Sequence, residues 1–270
     1  MRYMLALAAT LFTASAAIAM GPWKAVDCHL DQPCELDGRS YHVMAPDGWD
    51  GESPLPVLVH YHGWGRNGVH AQRSDRIGAS TRRRGVLLVT PNSVGRAWDY
   101  WQADSDEVDF TNRVLEDVAQ NYPIDLEKIY VSGYSLGSVM AWRYACESGD
   151  HVAALLAIAG ALHEDSRCDQ APAEVRHVHG LTDTVMSYSK GPAGDDPTYA
   201  VGLWRARLGC GAGQDGGDWH AREFLTFHRN AWDCDAGKVV LDLHPGGHFV
   251  PHGWIGRQLD ELLGRTPSYP

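Results

Sequence analysis

The fold is decided by the stretch IYVSGYSLGS, residues 129–138. It reads as a short apolar strand, then G-x-S-x-G, then the start of a helix. Such a sharp turn needs Gly133 and Gly137, because side chains there would collide with the neighbouring strand and helix while Ser135 is held in a strained conformation. The stretch therefore predicts a nucleophile, Ser135, exposed above a sheet at the N-terminus of a helix.

A serine hydroxyl becomes a strong nucleophile only beside a base that a carboxylate orients. Asp183 follows a predicted strand in HGLTD, and His248 lies in GGHF after the last predicted strand. The order Ser, Asp, His suits this type of turn. We predict Ser135, Asp183 and His248 as the catalytic residues; the alternatives are a turn residue at 183 and a surface histidine at 248. The rival carboxylates, none of which closes a strand, are Asp165, Asp195 and Asp196.

An oxyanion that forms at Ser135 needs two backbone N–H donors. The first is expected at Leu136, immediately after the nucleophile. The second is expected in the loop HGWG, residues 62–65, which follows a predicted strand. We assign it to Trp64, with Gly63 as the second choice, and expect His62 to brace this loop by hydrogen bonding.

The rest of the chain alternates short apolar runs with longer amphipathic stretches, which predicts a mainly parallel sheet with crossover helices. The predicted strands are 55–61, 86–90, 128–132, 153–159, 175–179 and 238–243, and the predicted helices are 106–121, 136–146, 199–208 and 254–263. Residues 28–50 are expected to add an antiparallel edge hairpin. Two stretches rich in Gly and Asp, 191–197 and 210–218, are predicted to be loops.

The N-terminus has the features of a secretory signal peptide: Arg2, an apolar run over 5–18 and the tripeptide Ala17-Ile18-Ala19. Cleavage is expected after Ala19, which leaves residues 20–270 as one domain. The alternative, a membrane anchor, is disfavoured because the run is shorter than the roughly 20 residues that span a bilayer. The formal net charge of −11 disfavours nucleic acid and anionic membranes as partners and indicates a neutral substrate.

Six cysteines in an exported chain favour disulfides over metal or redox chemistry. Many pairings are possible, and we choose neighbours along the sequence: Cys28 with Cys34, Cys146 with Cys168, and Cys210 with Cys234.

Two histidine pairs, His60 with His62 and His177 with His179, alternate on predicted strands and raise the alternative of a zinc site. Each pair runs directly into a Gly-containing loop, so no metal and no cofactor is predicted.

These segments together resemble the secreted polyhydroxybutyrate depolymerase-like esterases, which are similar to bacterial feruloyl and acetylxylan esterases. The resemblance rests on 55–65, 97–101, 124–135, 179–183, 208–210 and 246–248. It implies the α/β-hydrolase fold, a mainly parallel central sheet with helices on both faces, and a secreted serine esterase, extracellular or periplasmic, that acts on short-chain esters. The chain departs from the family at Ser138, Leu181 and Phe249, and the last two leave substrate preference open.

Three tryptophans, Trp64, Trp98 and Trp101, are expected on the active-site side. They could form an aromatic floor for a polyester segment or a phenolic acyl group, or they could pack against the sheet; packing is favoured for Trp98. We assign substrate contact to Trp64, Trp101 and Tyr134. Three functions remain open: an esterase on hydroxybutyrate-type esters, a feruloyl or acetylxylan esterase on plant polysaccharide, and a binding protein on an inactive hydrolase scaffold.

Overall fold

The computed structural model describes residues 28–162, 168–188 and 197–269. Their strands are β1 (Cys34–Leu36), β2 (Arg39–Met44), β3 (Leu55–Tyr61), β4 (Leu87–Pro91), β5 (Ile124–Tyr134), β6 (Ala154–Ile158), β7 (Glu174–Gly180), β8 (Gln214–Arg222), β9 (Leu225–Cys234) and β10 (Gly237–His244). Their α-helices are α1 (Gly68–Gln72), α2 (Gly78–Arg82), α3 (Glu107–Asn121), α4 (Leu136–Ser148), α5 (Pro197–Arg207) and α6 (Trp254–Leu262).

These strands form one sheet in the order β1-β2-β4-β3-β5-β6-β7-β10-β9-β8. The central pairings, from β4 through β3, β5, β6 and β7 to β10, are all parallel. Antiparallel hairpins extend both edges, β1–β2 on one side and β8–β9 on the other. Because the carboxyl ends of parallel strands meet at one edge of the sheet, the loops after β3, β5, β7 and β10 converge there.

Alternate side chains of the central strands enter two separate cores, one on each face of the sheet. Val57 packs in a cluster with Val114 of α3 and Trp142 of α4. The next residue, Leu58, packs in the other cluster with Trp254 of α6. Helices therefore cover both faces, as the sequence predicts.

The structure corrects the predicted loop at residues 210–218. Strand β8 begins at Gln214 and pairs with β9 along an antiparallel hairpin that the sequence analysis missed. Most β8 side chains are exposed, so its Gly- and Asp-rich sequence shows little of the apolar alternation that marks a strand. Its partner β9 carries the buried side chains instead, among them Phe227.

The other predicted elements agree with the structure to within a few residues, except that β5 begins earlier, at Ile124. The edge hairpin predicted within 28–50 is confirmed as β1–β2. Helices α1 and α2 were not predicted, and both are only five residues long. Of the predicted loop 191–197, residues 191–196 lie outside the described part of the chain, and Pro197 instead begins α5.

The three predicted disulfides are confirmed: Cys28–Cys34, Cys146–Cys168 and Cys210–Cys234. The first lies at the start of edge strand β1. The second joins α4 to the segment before β7. The third closes the base of the β8–β9 hairpin.

The predicted signal peptide, residues 1–19, lies outside the described residues. Within those residues, none of the helices has the length and apolar character that crossing a membrane would require.

Candidate active site

Ser135 lies in the turn between β5 and α4, in a backbone conformation that is strained for a residue with a side chain. Its φ is 57° and its ψ is −126°. The turn is tight because a Cβ at Gly133 would collide with the carbonyl of Gly137, and a Cβ at Gly137 would collide with the carbonyl of Tyr61 in β3. The Ser135 N–H donates to the Ile158 carbonyl at 3.1 Å, which ties the turn to β6. The two glycines thus have the roles that the sequence assigned to them.

The structure brings together Ser135, His248 and Asp183, which lie far apart in the sequence. His248 Nε2 lies 2.8 Å from Ser135 Oγ, and His248 Nδ1 lies 2.6 Å from Asp183 Oδ2. The Asp183 side chain is fully buried, whereas His248 keeps a small exposed fraction. The arrangement can move a proton from the serine hydroxyl to the imidazole while the carboxylate orients the ring.

The loop that carries Asp183 is fixed on two sides. The other carboxylate oxygen, Oδ1, accepts hydrogen bonds from the N–H groups of Val185 at 2.9 Å and Met186 at 2.8 Å. His179 Nε2 donates to the Met186 carbonyl at 2.7 Å. Burial lowers the pKa of His179, so its ring acts as a neutral brace rather than as a counter-ion. This role of His179 was not predicted from the sequence, where the residue entered only as part of a histidine pair.

The loop that carries His248 is held against the loop that carries Asp183 and against the turn of residues 133–137 around Ser135, hereafter the elbow. The Leu181 N–H donates to the His244 carbonyl at 2.8 Å, and the Thr182 N–H donates to the Gly246 carbonyl at 3.1 Å. The Tyr134 hydroxyl donates to the His248 carbonyl at 3.0 Å. Tyr134 therefore positions the histidine, and its contact with substrate stays a prediction.

The three residues predicted for the oxyanion site lie around the elbow. Leu136 is the first residue of α4, where N–H groups lack partners within the helix. The N–H groups of Leu136 and Trp64 donate to no other described residue. At Gly63, an added Cβ would lie 3.5 Å from Ser135 Cβ, so the loop passes close to the nucleophile.

His62 forms the hydrogen bonds of a loop brace. Its Nδ1 donates to the Gly63 carbonyl at 2.9 Å, and its Nε2 accepts from the Ser93 N–H at 3.3 Å. Burial lowers the pKa of His62 to about 4, so the ring is neutral at neutral pH. Trp98 donates from Nε1 to the His62 carbonyl at 2.8 Å and is fully buried, which confirms packing as its role.

Trp64 and Trp101 are not packed against the sheet. Their side chains are 58% and 61% exposed. The Arg96 guanidinium lies 4.2 Å from the centre of the Trp64 ring, and Tyr100 meets Trp101 edge to face at 5.0 Å between ring centres. The two exposed rings are thus available to a bound molecule.

The remaining histidines of the two strand pairs are engaged with their neighbours. His60 Nδ1 lies 2.6 Å from Ser132 Oγ, and His177 Nε2 lies 3.1 Å from His179 Nδ1. Across residues 28–162, 168–188 and 197–269, no three His, Cys, Asp or Glu side chains gather in a metal-binding arrangement.

A cavity of about 630 Å³ opens beside His248. Its walls include His248 and Gly63 from the site, Tyr134 from the elbow, and side chains from α1 and the segment that follows it. This position makes it the available space for one part of a substrate.

Elbow, central sheet and flanking helices define the α/β-hydrolase fold, and comparison with solved structures confirms that fold. An acetyl xylan esterase from Aspergillus awamori superposes with a TM-score of 0.62 at 17% identity, over 84% of this chain and 94% of that one. A Bacillus cereus carboxylesterase superposes with a TM-score of 0.56 at 13% identity, over 84% of this chain and 94% of that one. No family model matches the chain.

Among curated proteins, the chain is similar to feruloyl esterase C of Emericella nidulans, with 25% identity over 162 residues and 58% of this chain. It is also similar to a bifunctional acetylxylan esterase/xylanase of Neocallimastix patriciarum, with 25% identity over 154 residues, which cover 57% of this chain and 22% of that protein. The matched region spans 59% of the feruloyl esterase C proteins.

Proposed function

We propose that this chain is a secreted serine esterase that hydrolyses short-chain carboxylic esters. The observation that carries the proposal is the unbroken hydrogen-bond path from Ser135 Oγ through the two ring nitrogens of His248 to Asp183 Oδ2. Supporting it, the strained φ of Ser135 aims the hydroxyl out of the elbow. The names of the curated relatives point in the same direction.

The reaction proceeds through an acyl-enzyme. Ser135 Oγ bonds to the ester carbonyl carbon as its proton passes to His248 Nε2, and the carbonyl oxygen becomes an oxyanion. The N–H groups of Leu136 and Trp64, or Gly63, stabilise that oxyanion. The bond from carbon to the alcohol oxygen then breaks, and His248 returns the proton to the alcohol. Water, deprotonated by His248, attacks the acyl-serine, releases the carboxylic acid and restores the serine hydroxyl.

The preferred substrates in this proposal are hydroxybutyrate-type esters or their oligomers. Resemblance to the depolymerase-like esterases supports them, as does an open site without an apolar lid in the described residues. The second candidate is a feruloyl or acetylxylan esterase on plant polysaccharide. It is favoured by the exposed rings of Trp64 and Trp101 and by the names of the relatives.

We also propose that the protein is exported. The N-terminal sequence has signal-peptide features, and the three disulfides are of a kind that persists in oxidising compartments. Residues 20–270 are proposed to form a single catalytic domain.

A fluorophosphonate probe tests the proposal, because it labels only an activated serine. Wild-type protein is expected to be labelled and to hydrolyse p-nitrophenyl butyrate. Ser135→Ala should lose labelling and at least about 10³-fold in kcat/KM. Its stability should stay unchanged, since the hydroxyl contributes little packing. Ser138→Ala, which alters the next serine along α4, is the matched control. An unlabelled wild-type protein would instead support the binding-protein alternative.

A further inference from the structure

The cavity beside His248 is positively charged, although the chain as a whole carries a formal charge of −11. Its walls contain three arginines, Arg66, Arg73 and Arg76, and one carboxylate, Asp31. These groups give the cavity a net charge of three minus one, or +2. His60 and His62 also line it, but burial lowers their pKa values to about 3 and about 4, so they add no charge at neutral pH.

Two of the arginines have no carboxylate partner within the part of the chain that the structure describes. Arg73 pairs with Asp31 at 3.1 Å, whereas neither Arg66 nor Arg76 forms an ion pair with any described residue. Both charges act near the nucleophile: burial raises the pKa of Tyr134, and the positive charges of Arg66 and Arg76 oppose that rise. Unpaired cations in a cleft attract anionic ligands.

Arg76 is held in place before any ligand arrives. Its Nη1 donates to the Val250 carbonyl at 2.6 Å, and its guanidinium carbon lies 5.8 Å from the centre of the Phe249 ring. The segment that it contacts directly follows His248. Because this side chain is already ordered, less conformational entropy is lost when it binds an anion.

The position of the cavity indicates which part of the substrate it receives. His248 Nε2 must give its proton to the departing alcohol, so the alcohol portion lies beside this ring. The cavity shares His248 with the site and continues from there to Arg66 and Arg76.

We propose that Arg66 and Arg76 bind a carboxylate on the alcohol portion of the ester, so that the substrate is an ester of a hydroxy acid with a free acid group. The inference rests on the proposed esterase function. It replaces the neutral substrate that the net charge of the chain indicates. Such a carboxylate can come from the acid end of a hydroxyalkanoate oligomer or from a uronic acid in a polysaccharide.

The test compares pairs of substrates that share one scissile ester and differ only in charge. One pair is the 3-hydroxybutyrate dimer and its terminal carboxamide. The other is an acetylated galacturonate and its carboxamide. We expect wild-type protein to prefer the acid in at least one pair by about tenfold in kcat/KM at low salt, and the preference should shrink at 0.5 M NaCl. The pair that shows the larger preference identifies the source of the carboxylate, a hydroxyalkanoate oligomer or a uronic acid.

Variants locate the effect in the cavity. Arg66→Gln and Arg76→Gln should each lower the acid-to-amide ratio about threefold, and the double variant should bring it close to one. Asp31→Asn should raise the ratio, because it removes the negative charge that pairs with Arg73. Arg83→Gln removes an exposed arginine outside the cavity and should leave the ratio unchanged.

The results separate this inference from the esterase proposal. A ratio of one or less in both pairs, or an unchanged ratio in the double variant, would overturn the carboxylate site, while hydrolysis of the ester bond in the carboxamide substrate would still report an active enzyme. If wild-type protein showed neither probe labelling nor hydrolysis of any of these esters, the esterase proposal itself would be overturned.

Discussion

Tyr134 lies against the ring of His248, with 5.0 Å between ring centres, and its hydroxyl donates to the backbone carbonyl of the same histidine at 3.0 Å. The residue immediately before the proposed nucleophile therefore orients the proposed base, through one hydrogen bond and one ring contact. The proposed nucleophile, Ser135, and the residue that orients the proposed base, Tyr134, are therefore neighbours in one turn. A small change at Tyr134 is expected to affect both groups.

Tyr134→Phe keeps the ring contact and removes the hydrogen bond. A neutral hydrogen bond of this kind contributes about 1 kcal/mol. We expect kcat on p-nitrophenyl butyrate to fall about fivefold with little change in KM, because the base is less well oriented. Tyr269→Phe, which removes a hydroxyl bonded to Arg222 instead, is the control and should keep full activity. An unchanged kcat in Tyr134→Phe would show that the hydrogen bond does not orient the base.

The buried histidines predict a loss of stability in mild acid. Burial lowers the pKa of His60 to about 3 and of His62 to about 4, against an ordinary value of 6.5. Between pH 6.5 and about 4 the unfolded chain binds these protons and the folded chain does not. Stability is therefore complete above pH 6.5 and falls as pH drops through this window, with a slope of about 1.4 kcal/mol per pH unit for each such histidine.

Urea unfolding at pH 7, 6 and 5 measures that slope. His60→Gln removes one of the two buried histidines and should reduce the slope of unfolding free energy against pH by about 1.4 kcal/mol per pH unit. His220→Gln, which changes an exposed histidine of β8, should leave the slope as in wild-type protein. Equal stability at pH 7 and pH 5 in the wild-type protein would contradict the neutral state of the buried rings.

The disulfides predict a ranking of stability losses. In the chain-entropy model, the loss grows with the length of the loop that the bond closes. Cys146–Cys168 spans 22 residues and Cys28–Cys34 spans 6. Replacing Cys146 and Cys168 by alanines should lower the free energy of unfolding by about 3 kcal/mol, and replacing Cys28 and Cys34 should lower it by about 2 kcal/mol. Thermal unfolding of the two double variants compares them, and the reverse order would show that native packing around the cysteines outweighs loop closure.

The open site predicts a preference for short acyl chains. Long chains need an apolar tunnel or an amphipathic lid, whereas Trp64 and Trp101, the aromatic side chains expected on the active-site side, are 58% and 61% exposed. Activity on p-nitrophenyl esters should be highest at about four carbons and fall steeply at longer lengths. Methyl ferulate in the same series separates the two substrate candidates. A maximum at twelve carbons or more would rule out the open-cleft interpretation.

The elbow was predictable because it is local: strand, glycines, serine and helix follow one another within ten residues, 129–138. Asp183 and His248 were found by their positions after strands, since parallel strands bring such loops to one edge. Their meeting depends on the register of β7 with β10, in which Gly180 is opposite His244. No local pattern specifies that register.

The missed features depend on tertiary context. Strand β8 is paired on one side only and largely exposed, so its sequence satisfies no burial pattern. The cavity arginines lie just before and just after α1, and their positive charge is hidden in the net negative charge of the whole chain. Composition gives an average, whereas binding depends on the charge at one place.

A disulfide lies at each outer edge of the sheet: Cys28–Cys34 closes the loop before β1, and Cys210–Cys234 encloses the β8–β9 hairpin. Edge strands normally open first, through fluctuations that expose their amides to solvent exchange. Here an opened β8–β9 hairpin remains a closed ring and gains little freedom. The amide protons that bond β8 to β9 should therefore exchange more slowly than those of an unbridged edge hairpin, and a reductant should speed their exchange first.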